Sequence, residues 1–228
     1  MIRSETLDTA SIPGGGELRL VRRGEEFQIL LGRESLMSSR RSGSEIALAE
    51  LACERLAGHP RPRILIGGLG MGFTLRAALA KLPSTAGIVV AELVPEVVAW
   101  ARGPMAQLHA RTLDDPRVTI RIEDVARAIY AESGAWDSIL LDVDNGPEGL
   151  TIEANDRLYS AAGLAAALGA LRPGGILAIW SAHRDDAFAA RLRRAGFAVE
   201  EHKVRAHAGK GSHHVIWLAA APGRRRPR

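Results

Sequence analysis

The stretch RILIGGLGMGFTLRAAL, residues 63–79, joins an apolar run to a helix-like segment through a loop with glycines at alternate positions. These glycines are Gly68, Gly70 and Gly72. Glycine allows a tight turn and lets a ligand approach the backbone closely, while the N–H groups of the first helical turn remain available as donors. The spacing differs from the dinucleotide fingerprint, but its place between a strand and a helix predicts a ligand-binding loop.

Downstream of this loop, strand-like and helix-like segments alternate along the chain. The five apolar runs read as strands are RILIGG, GIVVAEL, VTIRIED, WDSILLDVD and ILAIWSA, each followed by a helical pattern. Such alternation predicts a parallel sheet with helices on both faces. Residues 197–221 read instead as two strands around a glycine-containing loop. We therefore predict an α/β fold: a Rossmann-like, doubly wound, mostly parallel seven-stranded sheet that ends in an antiparallel strand pair.

The N-terminal part has a different pattern. Residues 17–38 contain two alternating apolar runs around the sequence RGEE, which predicts a β-hairpin. Ser44 is a candidate cap for the helix that follows. The predicted organisation is a hairpin element over residues 1–43, a Rossmann-like domain over residues 44–221 and a basic disordered tail over residues 222–228.

Composition restricts the class of protein. The chain has 228 residues, 46% of them hydrophobic, which is enough for a full core. Part of its net charge of +4 lies in the tail GRRRPR, which has no interleaved aromatic residues, so we expect no nucleic acid partner. The apolar stretches are shorter than the roughly 18 to 20 residues of a membrane helix, and the N-terminus lacks a signal-peptide pattern, so we expect a cytoplasmic protein without a membrane partner. Cys53 is the single cysteine and reads as a core residue.

Ligands of doubly wound sheets bind at the carboxyl ends of the strands. Glu92 ends the second strand, twenty residues after Gly72, where a carboxylate can accept both hydroxyls of a ribose. Glu123 and Asp124 end the third strand, and Asp124 can accept from an exocyclic adenine amine. The alternative for Glu92 is a helix-capping acid, and for Asp124 the N-cap of the next helix.

The sequence DVDNGPEG, residues 142–149, follows the fourth strand. Asp142 and Asp144 could hold a cationic amine there and receive its proton, whereas the alternative is an ordinary turn. Trp180, Ser181 and His183 follow the fifth strand as candidates for a wall over an acceptor. His213 and His214 are adjacent and should point to opposite faces of a strand, so no metal site is predicted.

These motifs resemble the class I S-adenosylmethionine-binding fold, and within it the spermidine synthase branch, over roughly residues 25–220. Its most specific parts are ELVPEVV, residues 92–98, and DDPRV, residues 114–118. The resemblance implies that the three loop glycines line the methionine and sugar of an adenosyl sulfonium and that Glu92 holds the ribose. It also implies that Asp124, beside Glu123, meets the adenine amine, that Asp142 faces the reacting end, and that the hairpin is a candidate homodimer contact.

The sequence departs from polyamine synthases at two positions. Those enzymes read G-G-G-D-G-G in the first loop, where this chain has Gly70 in place of the aspartate. They also carry D-[ST]-[ST]-D-P after the fourth strand, and here the second aspartate falls on Asn145, one residue after Asp144. Asparagine cannot act as a base at neutral pH.

Three functions follow from this sequence. The preferred prediction is a transferase that uses S-adenosylmethionine to methylate a small amine or another small polar metabolite, without a metal. The first alternative is an aminopropyltransferase that uses decarboxylated S-adenosylmethionine. The second alternative is a non-catalytic relative that binds sulfonium compounds.

Overall fold

The structure is a computed structural model that describes residues 3–143, 157–207 and 210–223. Within these ranges the strands form a four-stranded and a seven-stranded sheet. The small sheet contains β1 (Ser4–Ser11), β2 (Glu17–Arg23), β3 (Glu26–Leu31) and β4 (Glu34–Ser38). The large sheet contains β5 (Arg63–Gly67), β6 (Gly87–Glu92), β7 (Val118–Ile122), β8 (Trp136–Leu141), β9 (Leu171–Ser181), β10 (Ala198–His207) and β11 (Lys210–Ala220).

Helices connect the strands of the large sheet. They are α1 (Gly43–Glu54), α2 (Phe73–Lys81), α3 (Pro95–Arg102), α4 (Ala106–His109), α5 (Val125–Ala131), α6 (Ala161–Ala170) and α7 (Asp186–Arg194), with a 3₁₀ turn at Thr112–Asp114. Among the described residues, no helix combines the length and the apolar composition needed to cross a membrane.

The large sheet has the strand order β10-β11-β9-β8-β5-β6-β7. The strands from β7 to β9 are parallel, whereas β11 pairs antiparallel with both β9 and β10. This confirms the predicted α/β fold and its antiparallel end. From β5 the chain first builds toward β7 and then returns to place β8 on the other side of β5. The strand order therefore reverses between β5 and β8, where ligands of such sheets bind.

The predicted hairpin is confirmed as β2 and β3, which pair antiparallel. It belongs to a larger antiparallel sheet, because β1 pairs with β2 and β4 pairs with β3. The sequence prediction did not include β1. Only Ala10 is fully buried in this strand, so the apolar alternation that signals a half-buried strand is absent.

One hydrophobic core joins the small sheet to the large sheet. Leu20 and Ile29 of the small sheet belong to the same buried cluster as Ile64 and Ile66 of β5. The indole Nε1 of Trp100 in α3 donates to a carboxylate oxygen of Asp8 in β1 at 2.7 Å. Side chains of the small sheet line a cavity together with residues at the carboxyl ends of β5 and β6, so the small sheet lies over these strand ends.

The predicted cap at Ser44 is wrong. Helix α1 begins at Gly43 with Ser42 as its N-cap residue, and Ser44 is buried within the first turn. Its hydroxyl therefore faces the interior and contacts side chains there. Residues 224–228 of the predicted basic tail lie outside the described residues, and the domain boundaries stay a prediction.

Candidate active site

The glycine loop lies between β5 and α2, and all three of its alternating glycines adopt positive φ. The angles are 87° at Gly68, 48° at Gly70 and 74° at Gly72. A Cβ atom at Gly68 would lie 2.7 Å from the backbone oxygen of Asp142, and one at Gly72 would overlap the imidazole of His109. Neighbouring protein atoms thus account for part of the glycine requirement that the sequence interpretation assigned to a ligand.

Glu92 ends β6 and fixes the conformation of the glycine loop. Its carboxylate is buried and accepts from the backbone N–H of Leu69 at 2.8 Å and of Val94 at 2.9 Å. Burial raises the pKa of Glu92, and the surrounding backbone N–H groups partly oppose this effect. Glu92 is therefore a structural anchor of the loop as well as a candidate ligand group.

An apolar cavity, here called the β6-side cavity, opens beside this carboxylate. Its apolar walls come from the small sheet, from the start of α3 and from the segment after β8, through Ile12, Leu18, Ile29, Leu93, Val94, Val97 and Val143. Acidic side chains at the strand ends line its polar part, namely Glu92, Glu123, Asp124 and Asp142. This combination of apolar walls and strand-end carboxylates suits a nucleoside.

Two of these acids have structural roles of their own. Asp124 is the N-cap of α5, and its Oδ1 accepts from the backbone N–H of Ala126 at 2.8 Å. The capping alternative is therefore confirmed, and an adenine contact stays a prediction. Glu123 lies 3.6 Å from the guanidinium of Arg121, measured between charged atoms.

A second cavity, here called the α1-side cavity, lies on the other side of the glycine loop. Its polar side chains come from three separate parts of the chain: Ser35, Ser38, Arg41, Ser44, Glu45, Asp142 and His214. Trp180 forms one of its walls. Trp180 is thus placed beside Asp142 in one cavity, and its role as a wall over an acceptor stays a prediction. Ser181 and His183 are not among its lining residues, and the Ser181 hydroxyl donates instead to the backbone oxygen of His183 at 2.8 Å.

Asp142 lies between the two cavities and lines both of them. Its Oδ2 accepts from the hydroxyl of Thr74, the second residue of α2, at 2.6 Å. Burial, and next the negative charge of Glu45, raise the pKa of Asp142 to about 7. A carboxylate with this pKa can both accept and release a proton near neutral pH. Asp144 and Asn145 lie outside the described residues.

Glu45 belongs to a hydrogen-bonded chain across the α1-side cavity. The hydroxyl of Ser44 donates to Oε2 of Glu45 at 2.7 Å and lies 2.9 Å from Nδ1 of His214. Because the hydroxyl has a single proton, it accepts from Nδ1–H of His214, whose Nε2 lies 3.2 Å from the Ser212 hydroxyl. Burial, and next the charge of Arg41, lower the pKa of His214 and favour the neutral ring, whose Nε2 then accepts from the Ser212 hydroxyl.

His213 and His214 point to opposite faces of β11, as predicted. His213 is exposed, whereas the ring of His214 packs edge-on against Trp180 with 4.8 Å between ring centres. Among the described residues, no group of three or more histidine, cysteine or acidic side chains is placed to hold a metal ion.

Met37 of β4 occupies the space above Gly70. A Cβ atom at Gly70 would lie 2.6 Å from Sδ of Met37, and Met37 lines both cavities. The thioether therefore lies where polyamine synthases, by the resemblance above, carry an aspartate. The aspartate is replaced by Gly70, and the space beside Gly70 is filled by Met37 from β4.

The sequence interpretation missed three residues of this region: Met37, Glu45 and Thr74. It also did not predict that His214 lines the α1-side cavity. Met37 and Glu45 precede the glycine loop by more than twenty residues. They lie in segments whose patterns indicate only a strand and an amphipathic helix. Thr74 follows the loop directly, and a hydroxyl at the start of a helix facing the switch point is the one signal that could have been used.

Comparisons with known proteins identify relatives of this chain. The polyamine aminopropyltransferase of Mycobacterium tuberculosis is 28% identical over 198 residues, which cover 82% of this chain and 36% of that protein. That of Pyrobaculum calidifontis is 38% identical over 93 residues, covering 39% of this chain and 32% of the relative. The chain thus spans about a third of the length of these curated relatives.

Similarity to solved structures extends over nearly the whole chain. The crystal structure of spermidine synthase from Thermotoga maritima matches with a TM-score of 0.71 at 18% identity, covering 94% of this chain and 72% of that one. At this identity the match shows the fold. The pattern of the spermine/spermidine synthase domain matches residues 48–184, which is more than half of the sequence. From the strand order, the switch-point cavities and this match, the chain belongs to the spermine/spermidine synthase family.

Proposed function

We propose that this protein transfers an aminopropyl group from decarboxylated S-adenosylmethionine to a small amine. Membership of the spermine/spermidine synthase family supports the proposal, and the similar curated proteins carry the name polyamine aminopropyltransferase. The comparisons support this alternative better than methyl transfer, which was the preferred prediction from the sequence.

The observation that carries the proposal is the position of Asp142 between two cavities that differ in character. The β6-side cavity combines apolar walls with the carboxylates of Glu92 and Asp124, as an adenosyl group requires. The α1-side cavity brings Glu45 to the other side of Asp142, where two carboxylates can hold a cationic amine. A donor and an acceptor bound in the two cavities would meet at Asp142.

Aminopropyl transfer requires the protein to position the two reactants and to supply one proton acceptor. The amine nitrogen attacks the aminopropyl carbon bonded to sulfur, a C–N bond forms, and the C–S bond breaks with its electron pair moving to sulfur. Methylthioadenosine leaves, and the proton lost by the amine passes to the Asp142 carboxylate. In-line positioning of two bound reactants can contribute as much as roughly 7 to 11 kcal/mol.

Methyl transfer from S-adenosylmethionine is the second candidate function. Gly70 favours it, because the residue lacks the carboxylate that contacts the aminopropyl amine in polyamine synthases, and Met37 covers the position. Intact S-adenosylmethionine carries its own carboxylate next to its amine, so its binding would not depend on an aspartate at position 70.

Product analysis distinguishes these functions. The purified protein is incubated with an amine mixture and either decarboxylated or intact S-adenosylmethionine, and nucleoside products are separated by chromatography. Aminopropyl transfer releases methylthioadenosine from the decarboxylated donor, whereas methyl transfer releases S-adenosylhomocysteine from the intact one. Release of S-adenosylhomocysteine alone would contradict the proposal.

Asp142→Asn tests whether the protein is catalytic. We expect the variant to lose at least about 100-fold in turnover, the typical contribution of a general base, while calorimetry shows retained donor binding. Asp114→Asn, at an exposed carboxylate in the 3₁₀ turn, is the matched control and should keep wild-type turnover. Donor binding without any turnover in the wild type would support a non-catalytic relative.

A homodimer through the small sheet is also part of this proposal. Strands β1 and β4 are the edges of that sheet, and edge strands leave backbone groups unpaired. Sedimentation velocity of the intact chain measures the oligomeric state. A monomer at all accessible concentrations would contradict this part of the proposal and leave the activity unaffected.

A further inference from the structure

The α1-side cavity carries charges of both signs. Glu45 and Asp142 supply two carboxyl groups, and Arg41 supplies a guanidinium. Arg41 is exposed, and its side chain forms no ion pair with any of the described residues. Both ends of a diamine are cationic, so a cavity that binds only diamines has no use for the positive charge of Arg41.

Arg41 is the cationic group among the described residues that line the cavity. His214 is the other basic side chain in its lining, and burial lowers its pKa, which favours the neutral imidazole. Arg41 lines the α1-side cavity and is not among the residues that line the β6-side cavity. Asp142 lines both cavities, so it lies at their boundary and Arg41 lies away from that boundary.

We propose that the acceptor is an amine that also carries an anionic group, such as a carboxylate, at its far end. This inference rests on the proposed aminopropyl transfer and names the acceptor of that site. The acceptor nitrogen would lie at Asp142 and Glu45, and the anionic end would pair with the Arg41 guanidinium, which is suited to carboxylates. The second ammonium of a diamine would instead meet a like charge.

The transfer step itself is unchanged by this assignment. The neutral amine end of the acceptor attacks the aminopropyl carbon, methylthioadenosine leaves with the electron pair of the C–S bond, and Asp142 takes one proton. The anionic end takes no part in bond making. Arg41 is thus a specificity-determining residue for the acceptor.

Two probes of equal carbon number test the proposal: 4-aminobutanoate, which has an amine and a carboxylate, and 1,4-diaminobutane, which has two amines. We expect kcat/KM for the aminocarboxylate to exceed that for the diamine by about tenfold or more in the wild type, the factor that corresponds to about 1.4 kcal/mol. Arg41→Gln should remove this preference, and Arg41→Lys should keep part of it. Arg40→Gln is the matched control, because Arg40 is an exposed neighbour whose guanidinium faces Glu26 at 3.4 Å.

Binding measurements separate this inference from the proposed function. Calorimetry of each probe, in the presence of methylthioadenosine, reports acceptor affinity even if no transfer occurs. Binding of 4-aminobutanoate that depends on Arg41 would support the inference even without turnover. Preference for the diamine that Arg41→Gln leaves unchanged would overturn it. So would loss of affinity for intact S-adenosylmethionine alone, since Arg41 would then contact the donor's carboxylate.

Discussion

Asp142 makes the folded protein less stable as the pH rises, because its pKa in the folded state lies above the ordinary value for aspartate. The pKa rises from 3.8 to about 7, so the folded protein holds this proton more tightly than the unfolded chain. The contribution of this group to stability is therefore greatest below pH 4 and falls as the pH rises from about 4 to 7. At pH 8 the wild type carries the full cost of a buried charge.

Asp142→Asn should remove this cost and still accept the hydrogen bond from Thr74. We expect the variant to exceed the wild type in unfolding free energy by about 2 kcal/mol at pH 8, with a smaller difference at pH 5. Urea titrations at both values measure this, with Asp114→Asn as the control. An equal difference at the two pH values would show that Asp142 titrates normally.

Gly70 and Met37 form a pair whose coupling can be measured. Gly70→Asp places a side chain at a positive φ and against the Met37 thioether, so we expect a loss of about 1 to 3 kcal/mol in unfolding free energy. Met37→Ala opens the space, and the double variant should be more stable than the sum of the single changes predicts, by about 1 kcal/mol. Urea denaturation of the four proteins gives the coupling energy.

The same double variant tests why this chain lacks the aspartate. With Met37 shortened, an aspartate at position 70 can face the aminopropyl amine of the donor. We expect tighter binding of decarboxylated S-adenosylmethionine in calorimetry for the double variant than for Met37→Ala alone. Strictly additive stabilities with unchanged donor affinity would show that Met37 does not occupy the position of the missing carboxylate.

At the scale of elements, Glu92 connects the glycine loop to α3. Its two backbone hydrogen bonds, to Leu69 and Val94, are buried, and their loss would leave two N–H groups unsatisfied. Glu92→Ala should therefore lower the unfolding free energy by about 2 to 4 kcal/mol and abolish donor binding. Glu5→Ala is the control, since the exposed Glu5–Arg22 ion pair contributes little. Normal stability of Glu92→Ala would contradict the anchoring role.

Elements with strong local signals were predictable, and those without them were not. The sequence RILIGGLGMGF contains an apolar strand, a glycine turn and a helix start in one stretch, and β5, the loop and α2 follow it closely. Strand β1 has one buried residue and therefore no apolar period. The cap expected at Ser44 depended on one residue, and helix boundaries move by one or two residues without changing the pattern.

The candidate site was predictable only where it follows the strand ends of the large sheet. Glu92, Asp124 and Asp142 could be placed because the carboxyl ends of parallel strands share one edge. Glu45 and Met37 reach the same place from α1 and β4, and their positions depend on how the small sheet packs over the large one. No local pattern carries that information, so tertiary packing determined the rest of the site.

For the molecule as a whole, the shared core predicts one cooperative unfolding transition. Leu20 of β2 is fully buried against residues of the large sheet, and Leu20→Ala should lower the unfolding free energy by about 2 to 5 kcal/mol. Trp136 and Trp217 are buried among residues outside the small sheet, so fluorescence from these two tryptophans reports on the large sheet, whereas Trp100 contacts Asp8 of β1. Fluorescence and circular dichroism should shift together.

Leu7→Ala, at a half-buried residue of β1, is the control and should have a smaller effect. A biphasic transition, with circular dichroism changing before the fluorescence, would show that the small sheet unfolds separately. The β6-side cavity would then lack the wall that Ile12, Leu18 and Ile29 provide.

The central claim is that an adenosyl sulfur compound binds over the glycine loop, at the point where the strand order reverses. A crystal structure of the protein with methylthioadenosine tests it most directly. We predict the adenosine in the β6-side cavity, with its ribose hydroxyls at Glu92 and its sulfur directed toward Asp142. Density for the nucleoside at any other place, or none while Met37 still covers Gly70, would contradict the account.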